Sequence, residues 1–472
     1  MATQETLLIR YEELRRRVEA LPTEVNGWRD RSSGQLDLNA HFSQLGALEV
    51  LMSGYIERQR SLLAELKLLE GTEEFMAKAF ELTNVIIKSQ GVWDYFRDML
   101  ELRFSPTFKN VLWIADTVAW DSYLPVLERA ADEGIIPRSK LREPPLTYLT
   151  AALSPATFAR AARTFESVDS NQGTVRLPIP VIEMPWDQVE NVWELVSIPH
   201  EVGHDLEADL QLRPLLKLNL DTILPGGGVP LERVDTWKTW VGEVFADLVA
   251  LQLAGPAFSE TLFQLLLWPG KMVTTLDKTS KHPTPYLRIL MNVAYIETLV
   301  PGAPALANHA AEIKTRWLGI YGEQPHLNDF VKDFGLVFKA LMDTGLHALK
   351  NKTVRQLMPY SIADDKRIRD AARYLLTGAD APAAMSLKPR QCISAARLAF
   401  TQASRGLEDA IPNGELDPGK RLQLAREELT KRLQKISKEA PALVTENTPS
   451  VLRAGDDSKV HKKYIAGFVD II

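Results

Sequence analysis

The chain has one cysteine, Cys392, among 472 residues, and a lone thiol excludes any internal disulfide framework. It also lacks an excess of either charge. Lys and Arg number 55 against 61 Asp and Glu, a net charge of -6 that makes no electrostatic case for nucleic acid or for an anionic membrane surface. Long apolar runs are missing as well. The best candidates, Val244 to Phe258 and Leu262 to Trp268, are short or carry Asp247, and fall below the roughly 20 residues of a membrane span. Met1-Ala-Thr-Gln-Glu5 leads into charged sequence without an apolar signal core, so the expectation is a cytoplasmic protein. What remains, 45% hydrophobic and 25% charged residues, is globular, and the length suggests two or three domains.

Most of the chain has helical periodicity. Leu7, Tyr11, Leu14, Val18 and Leu21 recur at spacings of three and four, which predicts a helix ending before Pro22. Gly27 to Asn39 is polar and predicts a loop, and Phe42 to Glu70 is a second amphipathic helix that stops at Gly71, with Thr72 placed to cap the next. These patterns predict an N-terminal helical bundle over 1–105. A small mixed sheet is expected next, with strands at Asn110 to Ala115 and Pro144 to Leu149 and a helical stretch through Leu124, Leu127 and Ala130 between them. The extended run Thr174 to Pro185 holds Pro178 and Pro180, which exclude a central strand and leave an edge strand or a proline-rich connector. Leu224 to Pro230 is a predicted loop and Trp237 to Ala254 a predicted helix. Further helices are expected over Ala303–Tyr321, Phe330–Leu349, Asp364–Leu376, Leu387–Phe400 and Gly419–Ser437. They form a C-terminal helical region over 301–440. An irregular tail follows over 441–472, with an apolar end from Ile465 to Ile472 expected to dock on the protein.

Histidine is scarce, at 8 residues, yet two stand four apart in His200-Glu201-Val-Gly-His204. On a helix they lie one above the other on one face, so both imidazoles can bind a single zinc ion, and Glu201 between them can reach a water on that metal. Pro199 suits the first turn of such a helix. A hydrolytic zinc site takes three protein ligands and keeps one position open. Glu207 is about 10.5 Å of helix rise from His200, too far along the axis to close a tetrahedron comfortably. Glu243, on the later helix, can approach from another direction. Asp247, one turn beyond it, can accept the second ring N–H of a ligand histidine. Two acids inside an apolar helix need partners. The expected set is therefore His200, His204 and Glu243 around one Zn2+ per chain, with Asp247 behind them.

The pattern His200-Glu201-x-x-His204 followed by Glu243-x-x-x-Asp247 resembles the gluzincin class of zinc metallopeptidases. His282-Pro283-Thr-Pro-Tyr-Leu-Arg288 is similar to the HPxxxxR segment of the CAAX-prenyl endopeptidase and related membrane heat-shock proteases, whose histidine lies at the active site. The likeness covers roughly His200 to Arg288. It implies a zincin-like core over 106–300, and the periodicity on either side places it between helical regions in a mainly α fold with a small mixed sheet. It also implies hydrolysis of a peptide bond in a peptide or protein substrate, with Glu201 as base and His282 or Tyr286 steadying the oxyanion. His282 can also be read as a fourth ligand or a helix cap. Two rivals stand beside this. A catalytically idle zincin-fold scaffold would keep the core without needing Glu201. A two-metal helical bundle would need a second Glu-x-x-His, and the only other one, Glu323-Gln-Pro-His326, holds a helix-breaking proline.

Overall fold

The computed structural model describes residues 2–32, 38, 41–67, 69, 72–151, 155–158, 164–165, 175–176, 179–378, 387–405, 407 and 418–448. These residues form a mainly helical protein with a small mixed sheet. They divide into two compact units, one built from 1–110 and 159–180, the other from 111–158 and 181–449.

The first unit holds α1 (Ala2–Ser32), α2 (Phe42–Lys67) and α3 (Thr72–Glu101). Their stripes meet in one cluster of Leu14, Val18, Leu62, Leu66, Phe75, Ala79 and Leu82. Each such leucine contributes about 1.5–3 kcal/mol by leaving water. The helix expected to end before Pro22 instead runs through it to Ser32, so the predicted loop from Gly27 is helical to that point and otherwise falls mostly outside the described residues. Proline removes one hydrogen bond, and tertiary packing outweighs that loss. Beyond the proline, Trp28 is buried edge-on to Trp93 at 5.6 Å, and its indole N–H donates to Glu101. Thr164–Phe165 and Val175–Arg176 add a short antiparallel ribbon.

The second unit begins with α4 (Lys109–Asp132), and the strand expected at Asn110 to Ala115 is the first turns of this helix. Residues around most of its circumference are buried, so its apolar run shows neither clear helical stripe nor alternation. The expected strand at 144–149 is Leu146–Thr150. It pairs in parallel with Val181–Pro185, which pairs antiparallel with Ala156–Phe158 on its other side. Val181–Pro185 is thus the central strand, not an edge: it starts just after Pro180, and Pro185 is its last residue. Pro178 lies outside the described residues.

A short 3-10 turn, Val192–Ser197, leads into α5 (Ile198–Asp209), followed by α6 (Arg213–Gly226), α7 (Leu231–Ala254), α8 (Pro256–Leu265), α9 (Gly270–Thr274) and α10 (Pro285–Leu299). The loop expected from Leu224 starts later, because buried Leu224 and the capping bonds from the Gly227 N–H to the Ile223 and Leu224 carbonyls carry α6 past Pro225. The remaining helices are α11 (Pro304–Tyr321), α12 (Asn328–Phe338), α13 (Val354–Leu357), α14 (Ile362–Thr377), α15 (Pro389–Gln402) and α16 (Pro418–Asn447). The single helix expected over 330–349 breaks at Phe338 into a wide π turn, Lys339–Asp343. The expected tail is helical up to Asn447, where Ala440, Leu443 and Val444 are buried, and the apolar end 465–472 lies outside the described residues. Among the described residues no helix is long and apolar enough to cross a membrane.

Candidate metal centre

Pro199 occupies the first turn of α5, where its missing N–H costs nothing, and the helix then carries His200 and His204 on one face with ring centroids 4.9 Å apart. Between them stands Gly203. A methyl group there would meet Ala246 Cα at 2.9 Å, closer than side-chain carbons come, so α5 and α7 approach through this glycine. Ala246 lies between Glu243 and Asp247, and the close crossing brings both acids under the two histidines.

Glu243 bridges the pair. Its Oε2 is 3.5 Å from His200 Nε2, and its Oε1 is 3.5 Å from His204 Nε2. The donor atoms of His200, His204 and Glu243 all lie within 4.8 Å of one another, which makes them a candidate set for a metal ion. Asp247, fully buried, places Oδ1 2.9 Å from His200 Nδ1. The His200 ring stacks on Phe258 of α8, with centroids 5.7 Å apart and planes 13° from parallel.

Both acids find the partner that their burial demands in Arg288 on α10. Its guanidinium donates twice to Asp247, at 2.9 and 2.6 Å, and lies 3.7 Å from Glu243 Oε2. Burial alone would raise these carboxyls, but His200 beside Glu243 and Arg288 beside Asp247 outweigh it and hold both below the usual range. Burial also opposes a charge on His200, and the neighbouring Asp247 and Glu243 overcome it and push the imidazole up to about 10. His204, desolvated and repelled by His200, falls to about 3.

Glu201 differs from its neighbours. It is 6% exposed and, among the described residues, makes no hydrogen bond or ion pair. Burial, only partly opposed by His200, pushes its carboxyl up to about 7.

His282 is also brought to the cluster, with Nε2 3.3 Å from Glu243 Oε1 and a side chain still 59% exposed. It stands outside the three-residue donor set. The loop that carries it is closed by Thr284 Oγ1 donating to the Thr275 carbonyl, ordered by Asp277 accepting from Thr279 and Ser280, and tied to α7 by Lys278 and Glu232 at 2.6 Å. Thr284, not His282, occupies the cap position of α10. Tyr286 does not join the group: its hydroxyl donates to the Gly322 carbonyl at 3.1 Å. Glu207 is engaged elsewhere, by two hydrogen bonds from Arg213.

Arg288 closes the HPxxxxR segment, but its pairing with the two acids is not written in that pattern, and Phe258 belongs to no motif. The need of Glu243 and Asp247 for a cationic partner was a signal for the arginine. Nothing in the sequence marked Phe258 among 16 phenylalanines. No protein-family model, no curated protein and no solved structure matches the chain.

Proposed function

We propose that the protein is a zinc-dependent peptidase of gluzincin type, with one zinc ion per chain held by His200, His204 and Glu243. The observation that carries this reading is the convergence of those three donors beside an unpartnered buried carboxyl, Glu201. Two imidazoles and a carboxylate are a hydrolytic zinc set, and donors about 2.1 Å from a tetrahedral ion stand about 3.4 Å apart. Glu243 reaches the histidines through different oxygens, Oε2 to His200 and Oε1 to His204, each at 3.5 Å, and the three donors lie within 4.8 Å of one another, close enough to gather on one ion. Asp247 supports the reading further, as a carboxylate behind a ligand histidine fixes the ring and its tautomer.

Zinc held there would polarise a substrate carbonyl and acidify water. Glu201, between the two ligand histidines of one helix face, takes the water's proton and delivers it to the departing amine. Arg288 keeps Asp247 ionised, and Asp247 orients His200. His282, exposed beside Glu243, donates to the oxyanion that develops on the carbonyl.

The test is hydrolysis of an unfolded protein or a peptide library by the purified chain, with metal content measured alongside. The expected result is one zinc per chain, activity lost to chelator and activity restored by zinc. Zinc bound with no hydrolysis would favour the idle scaffold, and two metals per chain or iron in place of zinc would favour the bundle.

A further inference from the structure

We propose that Arg397, distant in sequence from every residue of the centre, is a positioning residue that sets the His200 ring. This rests on the metal-centre reading above. Arg397 lies on α15 and is 1% exposed. One arm of its guanidinium donates to Glu194 Oε1 at 2.7 Å, in the 3-10 turn that runs directly into α5. Another arm donates to the backbone carbonyl of Glu260 at 2.7 Å, on α8. Those two elements carry two of the things that determine where His200 points, beside its contact with Asp247. The turn leads into the helix bearing the histidine, and α8 bears Phe258, on which the ring stacks.

The surrounding contacts make the link stiff. Phe400, one turn after Arg397, stacks on Trp193 with centroids 4.6 Å apart, so α15 grips the turn at consecutive residues. The Arg397 guanidinium lies over the same Phe400 ring. On α8 the Glu260 side chain accepts from Arg316 and pairs with His309 at 2.8 Å, both from α11, which pins the strip whose carbonyl Arg397 uses.

Stability does not account for an arginine at this position. A buried ion pair replaced by apolar groups of similar volume is commonly neutral or stabilising, because desolvation consumes most of the Coulomb gain. A long apolar side chain could fill the space but could not hold two elements at fixed hydrogen-bond distance. What arginine adds is a rigid fork that joins a carboxylate to a carbonyl.

The experiment uses the full chain and reads metal affinity, not turnover alone. Arg397→Met combined with Glu194→Gln removes both charges and nearly conserves volume. The expected outcome is a folded protein with zinc affinity weaker by about 10- to 100-fold, as for loss of other supporting residues, and a changed ligand-field spectrum of the Co2+-substituted protein. Parent-like affinity and spectrum in the double variant overturn the proposal. If that variant does not fold, Phe258→Leu removes the stacking face alone and should shift the Co2+ spectrum, and an unchanged spectrum there also overturns it. A parent that binds no zinc is a separate failure, and sinks the metal-centre reading itself.

Discussion

In α1, α2 and α3 the buried face is chiefly aliphatic and aromatic, whereas α5, α7 and α10 bury His200, Glu201, Asp247 and Arg288 among themselves. The first unit keeps most of its charges at the surface, in pairs such as Arg15 with Glu12 and Arg58 with Glu81, which add little to stability. The second places charges where each must be compensated, since a buried ion without a partner is costly. Asp247 is compensated by Arg288 and His200, Glu207 by Arg213, and Glu260 by His309 and Arg316. The lesson lies in the exception. Glu201, left without such a partner, is the one whose carboxyl sits near neutrality, and this is where chemistry is expected.

The sharpest way to break this contrast is Glu201→Gln, which keeps size and removes the base. Hydrolysis should fall by about 10²- to 10⁴-fold with zinc content unchanged, measured as turnover together with elemental analysis. Near-normal turnover would return Glu201 to the ordinary buried residues. His282→Ala comes next, with kcat lower by about 10²- to 10³-fold, KM little changed and zinc retained. A variant that loses its zinc would instead make His282 a ligand.

Asp247→Ala removes both hydrogen bonds from the buried Arg288 guanidinium and leaves it only Glu243 at 3.7 Å, which should cost about 3–5 kcal/mol in denaturant unfolding. Zinc titration of the same variant should show binding weaker by about 10- to 100-fold. Leu66→Ala probes the other region: unfolding should show a loss of about 2–5 kcal/mol, with the zinc dissociation constant of the folded protein unmoved. A change in zinc affinity there would erase the distinction between the two regions. The smallest effect expected is Gly203→Ala, whose methyl would crowd Ala246 and cost about 1–3 kcal/mol. Because that crowding lies between the histidines and Glu243, weaker zinc binding should accompany it.

Periodicity made α5 and α7 legible, and with them the faces bearing His200, His204, Glu243 and Asp247. It misled where packing overrode local preference. Pro22 and Pro225 looked like helix ends and lie inside α1 and α6, because buried side chains hold the turns around them. The 110–115 run looked like a strand because a helix buried on most sides loses its stripe. The central strand was hidden by two prolines that precede it.

By itself the sequence determined which side chains share a turn: His200 with His204, Glu243 with Asp247, and Glu201 between the histidines. That is a matter of backbone geometry over four residues, and 3.6 residues per turn settles it. Only the tertiary structure decided that Gly203 lets α5 rest on Ala246, that Arg288 and not another cation answers Asp247, that Tyr286 turns toward Gly322, and that Arg397 reaches Glu194 and Glu260. The physical reason is that periodicity names the face a helix buries but not what it is buried against. That choice belongs to close packing between segments far apart in the chain.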